Sequence, residues 1–209
     1  FSSSATVYGN NPNQPLTEDS QIKSTSVYGQ SKIESENLIK YYAFNKGVKS
    51  ICLRYFNPVG SHKEAIVVED YLNKPSNLMP KLIEAVKSGK NIIDVYGKDY
   101  DTKDGTGERD YIHITDLVEG HIAAMDKVQK IGNIDFFNLG TGQSTSVVEL
   151  VSIFNKTNGF NIITNFVDRR KGDVAICYSN PKKAHNELNW QAKLNLERMC
   201  KDAWEAVKK

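Results

Sequence analysis

Apolar residues change spacing along the first sixty positions of the chain. Between residues 27 and 46 they recur at intervals of three or four, which predicts an α-helix with apolar positions Ile33, Leu38, Tyr41, Tyr42 and Phe44. Residues 50–55 form a short apolar run that is typical of a buried strand. A helix followed directly by a buried strand is the unit from which parallel sheets are built. The pattern therefore predicts an α/β protein.

The same alternation continues to the end of the chain. Strands are predicted at 91–97, 109–114, 134–139 and 161–167, and helices at 77–88, 115–128, from 146 onward, from 181 and at 196–208. Ser146 and Glu149 have the spacing of a capping box, and Thr115 is the expected N-cap of its helix. The first residues, through Ala5, Val7 and Tyr8, are expected to end a strand, and residues 58–76 and 98–108 to form loops.

The chain has no glycines at the Gly-x-Gly-x-x-Gly spacing that binds a dinucleotide pyrophosphate. It also begins at Phe1 without a methionine, in a segment that is predicted to be part of a strand. We therefore expect a fragment whose parallel sheet continues upstream of Phe1. The pyrophosphate-binding turn would lie in that upstream part.

Composition excludes several classes of function. With 209 residues, 39% of them hydrophobic, the chain can bury a core, and its net charge of +2 comes from 27 basic and 25 acidic residues spread along the chain. No basic stripe indicates a nucleic acid partner, no apolar run is long enough for a membrane span, and the four histidines lack metal-ligand spacing. Cys52, Cys177 and Cys200 lack a Cys-x-x-Cys spacing, which favours reduced thiols and a cytoplasmic protein.

Three side chains can converge on one substrate hydroxyl. Tyr28 and Lys32 stand four residues apart in SVYGQSK, so a helix places them on one face, and Ser4 lies upstream in FSSSATVYG. A phenol, an ammonium and a hydroxyl together indicate hydride chemistry at a carbinol. Spacing alone leaves a second interpretation open, a solvent-exposed neighbour pair on a helix.

The energies show what else such a base needs. A free tyrosine titrates near ~10 and a base at neutral pH needs a value near ~7, a gap of roughly 4 kcal/mol. An exposed ion pair contributes only ~0.2–1 kcal/mol. A sheltered site and a second cation are therefore required, and the ring of an oxidised nicotinamide would supply that cation.

Six motifs occur in order along the chain: FSSSATVYG, SVYGQSK, LRYFNPVG, NLMPKL, DGTGERDYIHITDL and DRRKGD. With them the chain resembles the extended short-chain dehydrogenase/reductase superfamily, and within it the nucleotide-sugar epimerases. The resemblance implies a partial Rossmann-type parallel sheet with a smaller mixed α/β domain. It implies that residues 1–57 belong to the NAD-binding domain, and that residues 58–209 belong mainly to the nucleotide-sugar-binding domain, with some segments returning to the first.

The resemblance also implies an activity and the residues that carry it. Family members use NAD to interconvert UDP-glucose and UDP-galactose through a 4-keto sugar, and many are homodimers. Tyr28 would be the base, Lys32 would orient the NAD ribose and favour the phenolate form of that base, and Ser4 would bridge the sugar hydroxyl and the phenolate. The implied cofactor contacts are Ser2, Tyr28, Lys32, Tyr55 and Phe56; the implied substrate contacts are Ser4, Asn57, Asn77, Leu78, Val95, Tyr96, Arg109, Arg170, Asp173 and Cys177.

The residue types suit these roles, although each has an ordinary structural interpretation as well. Arg109 and Arg170 can bind a diphosphate in bidentate fashion, or can be surface residues. The asparagines and Asp173 are also common in turns, and Leu78, Val95 and Tyr96 could be core residues. By the resemblance, Cys177 stands where some family members carry a bulky tyrosine and others a small residue that leaves room for an N-acetyl group on the sugar. UDP-N-acetylhexosamines are therefore a hypothetical second substrate; a buried apolar cysteine is the alternative.

Other enzymes and a binding module stay open. Sugar-nucleotide dehydratases place a carboxylate beside the position of Ser4, and here the segment 4–7 reads Ser-Ala-Thr-Val without one. A uronate epimerase, a decarboxylase and a non-catalytic NAD- or nucleotide-sugar-binding protein are not excluded. The fragment by itself is expected to be inactive.

Overall fold

The computed structural model describes residues 1–64 and 75–208. Its strands are β1 Ser2–Ser4, β2 Ser50–Tyr55, β3 Asn57–Val59, β4 Ile92–Tyr96, β5 Glu108–Arg109, β6 Tyr111–His113, β7 Ile134–Leu139, β8 Thr145–Ser146, β9 Ile163–Val167 and β10 Ile176–Cys177. Its α-helices are α1 Val27–Lys46, α2 Leu78–Lys87, α3 Ile114–Lys127, α4 Val147–Asn158, α5 Lys182–Leu188 and α6 Leu196–Val207. The predicted α/β class is confirmed.

A parallel sheet in the order β1-β2-β7 forms the base of the fold. β2 is the central strand, and it pairs Tyr55 with Ser4 on one side and with Leu139 on the other. β2 and β7 are packed against α3 and α5 by a core that includes Leu53, Leu117, Leu139 and Leu188. This partial Rossmann-type sheet brings the carboxyl ends of three strands to one edge.

A second core holds the remaining layer together. α2, α4 and α6 pack around the parallel pair β4-β9, with Leu82, Ile93, Leu150, Phe154 and Met199 at the centre. Short strand pairs connect this layer to the first: β3 pairs with β6, and β5 pairs with β8 and β10. The predicted division at residue 57 remains a prediction.

The helix that carries the Tyr28–Lys32 motif has the predicted bounds. Ser26 caps α1 by accepting a hydrogen bond from the Gly29 amide at 3.0 Å, and Gly47 ends the helix with φ +67°. Most of the apolar residues that predicted the helix are nevertheless exposed: Leu38, Tyr41, Tyr42 and Phe44 show 48 to 66% of their surface. In the described part of the chain α1 faces the sheet through Glu36 and Ala43.

Several local predictions need correction. Ala5–Tyr8 forms a 3-10 turn, because Ser4 Oγ accepts the Thr6 amide and ends the strand. α3 starts at Ile114 with His113 as its N-cap, and Thr115 supplies the amide that His113 Nδ1 accepts at 3.0 Å. The predicted loop 58–76 contains most of β3, and its residues 65–74 lie outside the described residues.

The predicted capping box of Ser146 and Glu149 is confirmed at the start of α4. Cys52, Cys177 and Cys200 are buried and unpaired. No helix within residues 1–64 and 75–208 is long and apolar enough to cross a membrane.

Candidate functional site

Two adjoining cavities form one cleft at the carboxyl edge of the parallel sheet. The larger has a volume of about 490 Å³ and the smaller about 180 Å³. Asn57, Asn77, Arg109 and Asp173 line both of them. Ligands of open α/β sheets bind at this edge of the strands, which makes the cleft the candidate site.

The cleft collects nearly all of the predicted site residues. Of these predicted residues, the larger cavity alone is lined by Ser4, Tyr28, Tyr55, Phe56 and Cys177, and the smaller alone by Leu78, Val95, Tyr96 and Arg170. Ser2 and Lys32 are the two predicted residues that line neither cavity. Ser4 at the end of β1 and Cys177 on β10, which are 173 positions apart in sequence, line the same cavity.

Tyr28 and Lys32 lie at the start of α1, beside the end of β1. Lys32 Nζ is 5.4 Å from the centroid of the Tyr28 ring and 5.1 Å from that of Phe1. The same ammonium donates a hydrogen bond to the Ser2 carbonyl at 2.9 Å. Tyr28 keeps 55% of its surface exposed, so its hydroxyl is accessible to a ligand. The sheltered site that the sequence argument required for this base is therefore not formed by the described residues alone.

Ser4 is the last residue of β1 and is nearly buried. Its Oγ accepts hydrogen bonds from the Thr6 amide at 3.2 Å and from Thr6 Oγ1 at 3.0 Å. Both contacts use Ser4 as the acceptor, so its own proton can be donated into the larger cavity.

Tyr55 connects this cavity to a histidine that the sequence did not single out. Its hydroxyl donates to Ser2 Oγ at 2.7 Å and contacts His121 Nε2, while His121 Nδ1 bonds the Leu117 carbonyl at 2.8 Å. Burial raises the pKa of Tyr55, with smaller effects from Ser2 and Tyr28. His121 sits in the middle of α3, where no motif marks it.

The smaller cavity combines cations with an aromatic wall. Arg170 lies 4.4 Å from the Tyr96 ring centroid, and Lys81 Nζ lies 5.1 Å from it on another element. Arg170 Nε also donates to Asp173 Oδ2 at 3.1 Å. With Arg109, these residues give the cavity an excess of positive charge that suits an anionic ligand. Lys81 was missed because it is one lysine among many in the sequence.

Arg109 is held by backbone carbonyls. Its Nη1 donates to the Glu108 carbonyl at 2.8 Å and to the Ala175 carbonyl at 3.4 Å. Those bonds orient one edge of the guanidinium of a side chain that lines both cavities.

Apolar side chains complete the walls. Val95 is buried in the core between α2, α4, α6 and the β4-β9 pair, and it also lines the smaller cavity together with Tyr100. Burial raises the pKa of the Cys177 thiol to about 11, so this side chain is a neutral, compact wall at neutral pH. None of the described His, Cys, Asp and Glu residues forms a group that could hold a metal ion.

This fold and cleft agree with the class that the sequence indicates. Residues 1–140 match the sequence model of the NAD dependent epimerase/dehydratase family, and the chain belongs to that family.

The chain is also similar to individual members of this family. The chain is 46% identical over 206 residues to the UDP-glucose 4-epimerase of Bacillus subtilis, and 45% identical over 206 residues to that of Homo sapiens. Each alignment covers 98% of this chain but only 60% and 59% of the relative, so the chain spans about three fifths of their length.

Solved structures give the same picture. The UDP-glucose 4-epimerase of Bifidobacterium longum in complex with NAD+ and UDP superposes with a TM-score of 0.93 at 40% identity, covering 100% of this chain and 62% of that one. The UDP-glucose 4-epimerase of Stenotrophomonas maltophila, with bound NAD and formylated UDP-arabinopyranose, superposes with a TM-score of 0.94 at 39% identity, with the same coverage.

Proposed function

We propose that this protein interconverts UDP-glucose and UDP-galactose by reversible oxidation at sugar C4. The observation that carries the proposal is the shared cavity of Ser4 and Tyr28, with the Lys32 ammonium 5.4 Å from the Tyr28 ring centroid. A hydroxyl donor, a phenol and a cation are the groups that proton removal from a secondary alcohol requires. The relatives named above support the same activity.

Side chains of this protein would transfer the proton of the sugar 4-hydroxyl. Tyr28, as phenolate, takes the proton of the 4-hydroxyl, and Ser4 donates a hydrogen bond that orients the same oxygen. Lys32 stabilises the negative charge on the phenolate by its proximity. The 4-keto sugar then turns over, and Tyr28 returns the proton to the opposite epimer.

The residues in and beside the larger cavity fit a nicotinamide cofactor. Tyr55 and Phe56 supply ring faces in the larger cavity, and Lys32, Ser2 and Tyr28 supply polar groups beside them. When bound, NAD would supply the hydride acceptor and donor for C4.

The smaller cavity suits the nucleotide diphosphate. Arg109 and Arg170 would bind its oxygens as charge-assisted donors, and Asn57 and Asn77 would add neutral hydrogen bonds. Asp173 would bind the ribose. Leu78, Val95 and Tyr96 would hold the uracil against the apolar wall.

We further propose the arrangement of the whole protein. Residues 1–57 would complete an NAD-binding domain, and residues 58–209 would mainly bind the nucleotide sugar. The exposed apolar residues of α1 support a homodimer that pairs through this helix. Exposing a contiguous apolar patch to water is unfavourable, and pairing two helices would bury it. The three unpaired, buried thiols support a cytoplasmic location.

The sugar range is a further part of the proposal. Cys177 forms a compact wall of the larger cavity, so we propose that UDP-N-acetylglucosamine and its galacto epimer are also accepted.

The activity is tested by incubating the complete natural polypeptide that contains this sequence with NAD and UDP-galactose. Formation of UDP-glucose supports the proposal. Binding of UDP-galactose without conversion would contradict it, and would favour a binding module or another nucleotide-sugar enzyme.

A further inference from the structure

A buried carboxylate connects the two elements that carry the proposed catalytic residues. Glu36 lies on α1, one turn beyond Lys32 and two turns beyond Tyr28, and only 1% of its surface is exposed. Its Oε1 accepts a hydrogen bond from Ser3 Oγ at 2.5 Å. Ser3 is the residue of β1 between Ser2 and Ser4, so the bond ties α1 directly to β1.

A buried guanidinium fixes the same carboxylate from the neighbouring strand. Arg54 donates from Nε to Glu36 Oε1 at 3.0 Å and from Nη2 to Oε2 at 2.8 Å. Arg54 pairs in register with Ser3 across β1 and β2. This two-point contact sets the orientation of the carboxylate as well as its distance.

The guanidinium is itself held in place. Its Nη1 donates to Tyr8 Oη at 3.0 Å and to the Glu18 carbonyl at 3.1 Å. The rings of Tyr8 and Phe136 lie 5.1 and 4.7 Å from its central carbon. Arg54 therefore has few ways to rotate, and the position of Glu36 follows from that of β2.

Stability alone is a weak explanation of this arrangement. Burying an ion pair costs desolvation, and apolar residues of similar volume often stabilise a core as well or better. An apolar substitute could not fix the direction of α1 against β1 by hydrogen bonds. The position of the cluster, directly behind Ser2, Ser4, Tyr28 and Lys32, indicates a role in their alignment.

We propose that Glu36 is a positioning residue for the reaction. Through Ser3 and Arg54 it sets β1 against α1, so that Ser4 and Tyr28 face one cavity and the Ser2 carbonyl reaches Lys32. The proposal rests on the proposed epimerase function. It makes Glu36 part of the alignment and gives it no contact with substrate or cofactor.

The test uses Ser3→Ala, which removes one hydroxyl and keeps the Arg54–Glu36 pair. A misplacement of about 1 Å costs up to ~100-fold in rate, so we expect kcat for UDP-galactose to fall at least about tenfold. We expect KM to change by less than about twofold, because the diphosphate and uracil contacts are not altered. A loss of fold would instead lower the fraction of active protein and broaden its unfolding transition.

Ser179→Ala is the matched control. Ser179 Oγ donates to the buried Asp110 Oδ2 at 2.5 Å, so the control removes a bond of the same kind and length from another buried carboxylate. It lies outside the α1–β1 contact, and we expect its kcat to stay within about twofold of the parent at a similar loss of stability.

A second variant tests whether Ser3 acts through Glu36. Glu36→Gln keeps the size of the side chain and removes its charge. If the two residues form one unit, the effect of Ser3→Ala on kcat shrinks in the Glu36→Gln background. Independent, multiplicative effects on kcat would overturn the proposal, as would a Ser3→Ala kcat equal to that of Ser179→Ala.

Hydrogen exchange separates this proposal from the proposed function. In Ser3→Ala, amides of β1 and of the first turns of α1 should exchange faster together, and the rest of the sheet should not change. A parent protein that binds UDP-galactose without epimerising it would contradict the proposed function. In that case the exchange measurement still tests the proposal about Glu36. Unchanged exchange at β1 in Ser3→Ala would overturn the claim that Glu36 aligns β1 with α1, and faster exchange at both β1 and α1 would support it.

Discussion

Lys32 Nζ donates a hydrogen bond to the Ser2 carbonyl at 2.9 Å and at the same time lies 5.4 Å from the centroid of the Tyr28 ring. One ammonium thus connects the first residue of β1 to a phenol one helical turn away on α1. The carbonyl fixes the position of the charge, and the ring lies within its field. This relationship gives Lys32 a role that substitution can test.

Lys32→Met keeps most of the side-chain length and removes the charge. We expect kcat to fall about a hundredfold or more, because the phenolate loses its nearest cation. Epimerisation of UDP-galactose measures it. Lys40→Met is the control: Lys40 also lies on α1, and its Nζ lies 5.0 Å from the centroid of an aromatic ring, that of Phe136 on β7, away from the cleft. Equal losses in the two variants would contradict a specific role for Lys32.

Arg170→Ala tests the diphosphate contact. Removing a charge-assisted donor costs about 1.5–3 kcal/mol, so we expect KM for UDP-galactose to rise about tenfold or more with a smaller change in kcat. Arg198→Ala is a close control: Arg198 has 46% of its side chain exposed against 49% for Arg170, and each is paired with an aspartate on its own segment. A similar KM in both variants would argue against Arg170 as a ligand contact.

Cys177→Tyr tests the sugar range. A bulky ring in the larger cavity should lower turnover of the UDP-N-acetylhexosamines more than turnover of UDP-galactose. The ratio of the two kcat/KM values is the measurement, so a general loss of stability cancels. An unchanged ratio means that Cys177 does not determine the sugar range.

His113 predicts a pH dependence of stability. Burial lowers its pKa, with opposing effects from Asp202 and Asp116, and Arg198 lowers it further. Below the unfolded value of about 6.5 the unfolded chain binds the proton more readily, so the free energy of unfolding should decrease as pH falls toward the folded pKa. Above about 6.5 this contribution should be constant.

Urea unfolding at several pH values measures this contribution. His113→Gln removes the titrating group, and the variant should show a smaller decrease in unfolding free energy below pH ~6.5 than the parent. An identical slope in the parent and the variant would show that other groups cause the pH dependence.

Long elements could be predicted from the sequence, and short ones could not. α1 and β7 have the predicted bounds because many residues contribute to each periodic pattern. β3, β5, β8 and β10 have two or three residues each, and they exist because a tertiary partner is present. The N-cap of α3 is His113 and not the predicted Thr115 for the same reason. The His113 ring is held by tertiary packing, which the local sequence does not show.

The residues that line the candidate site were predicted more completely than the buried residues that hold them in place. Motif spacing led to Tyr28 and Lys32, and the resemblance led to the residues of the cleft. Neither indicated Glu36 and Arg54, because a charged pair is read as a surface feature until its burial is known. His121 and Lys81 were missed because their roles depend on side chains from other elements.

The most direct measurement is epimerisation of UDP-galactose by the complete natural polypeptide, with NAD, alongside its Tyr28→Phe variant. The account predicts that the variant binds UDP-galactose like the parent and loses activity by about 10²–10⁴-fold, the usual contribution of a general base. The removed hydroxyl is exposed to the cavity, so the fold should be unaffected. A variant that epimerises at a near-normal rate would contradict the central claim.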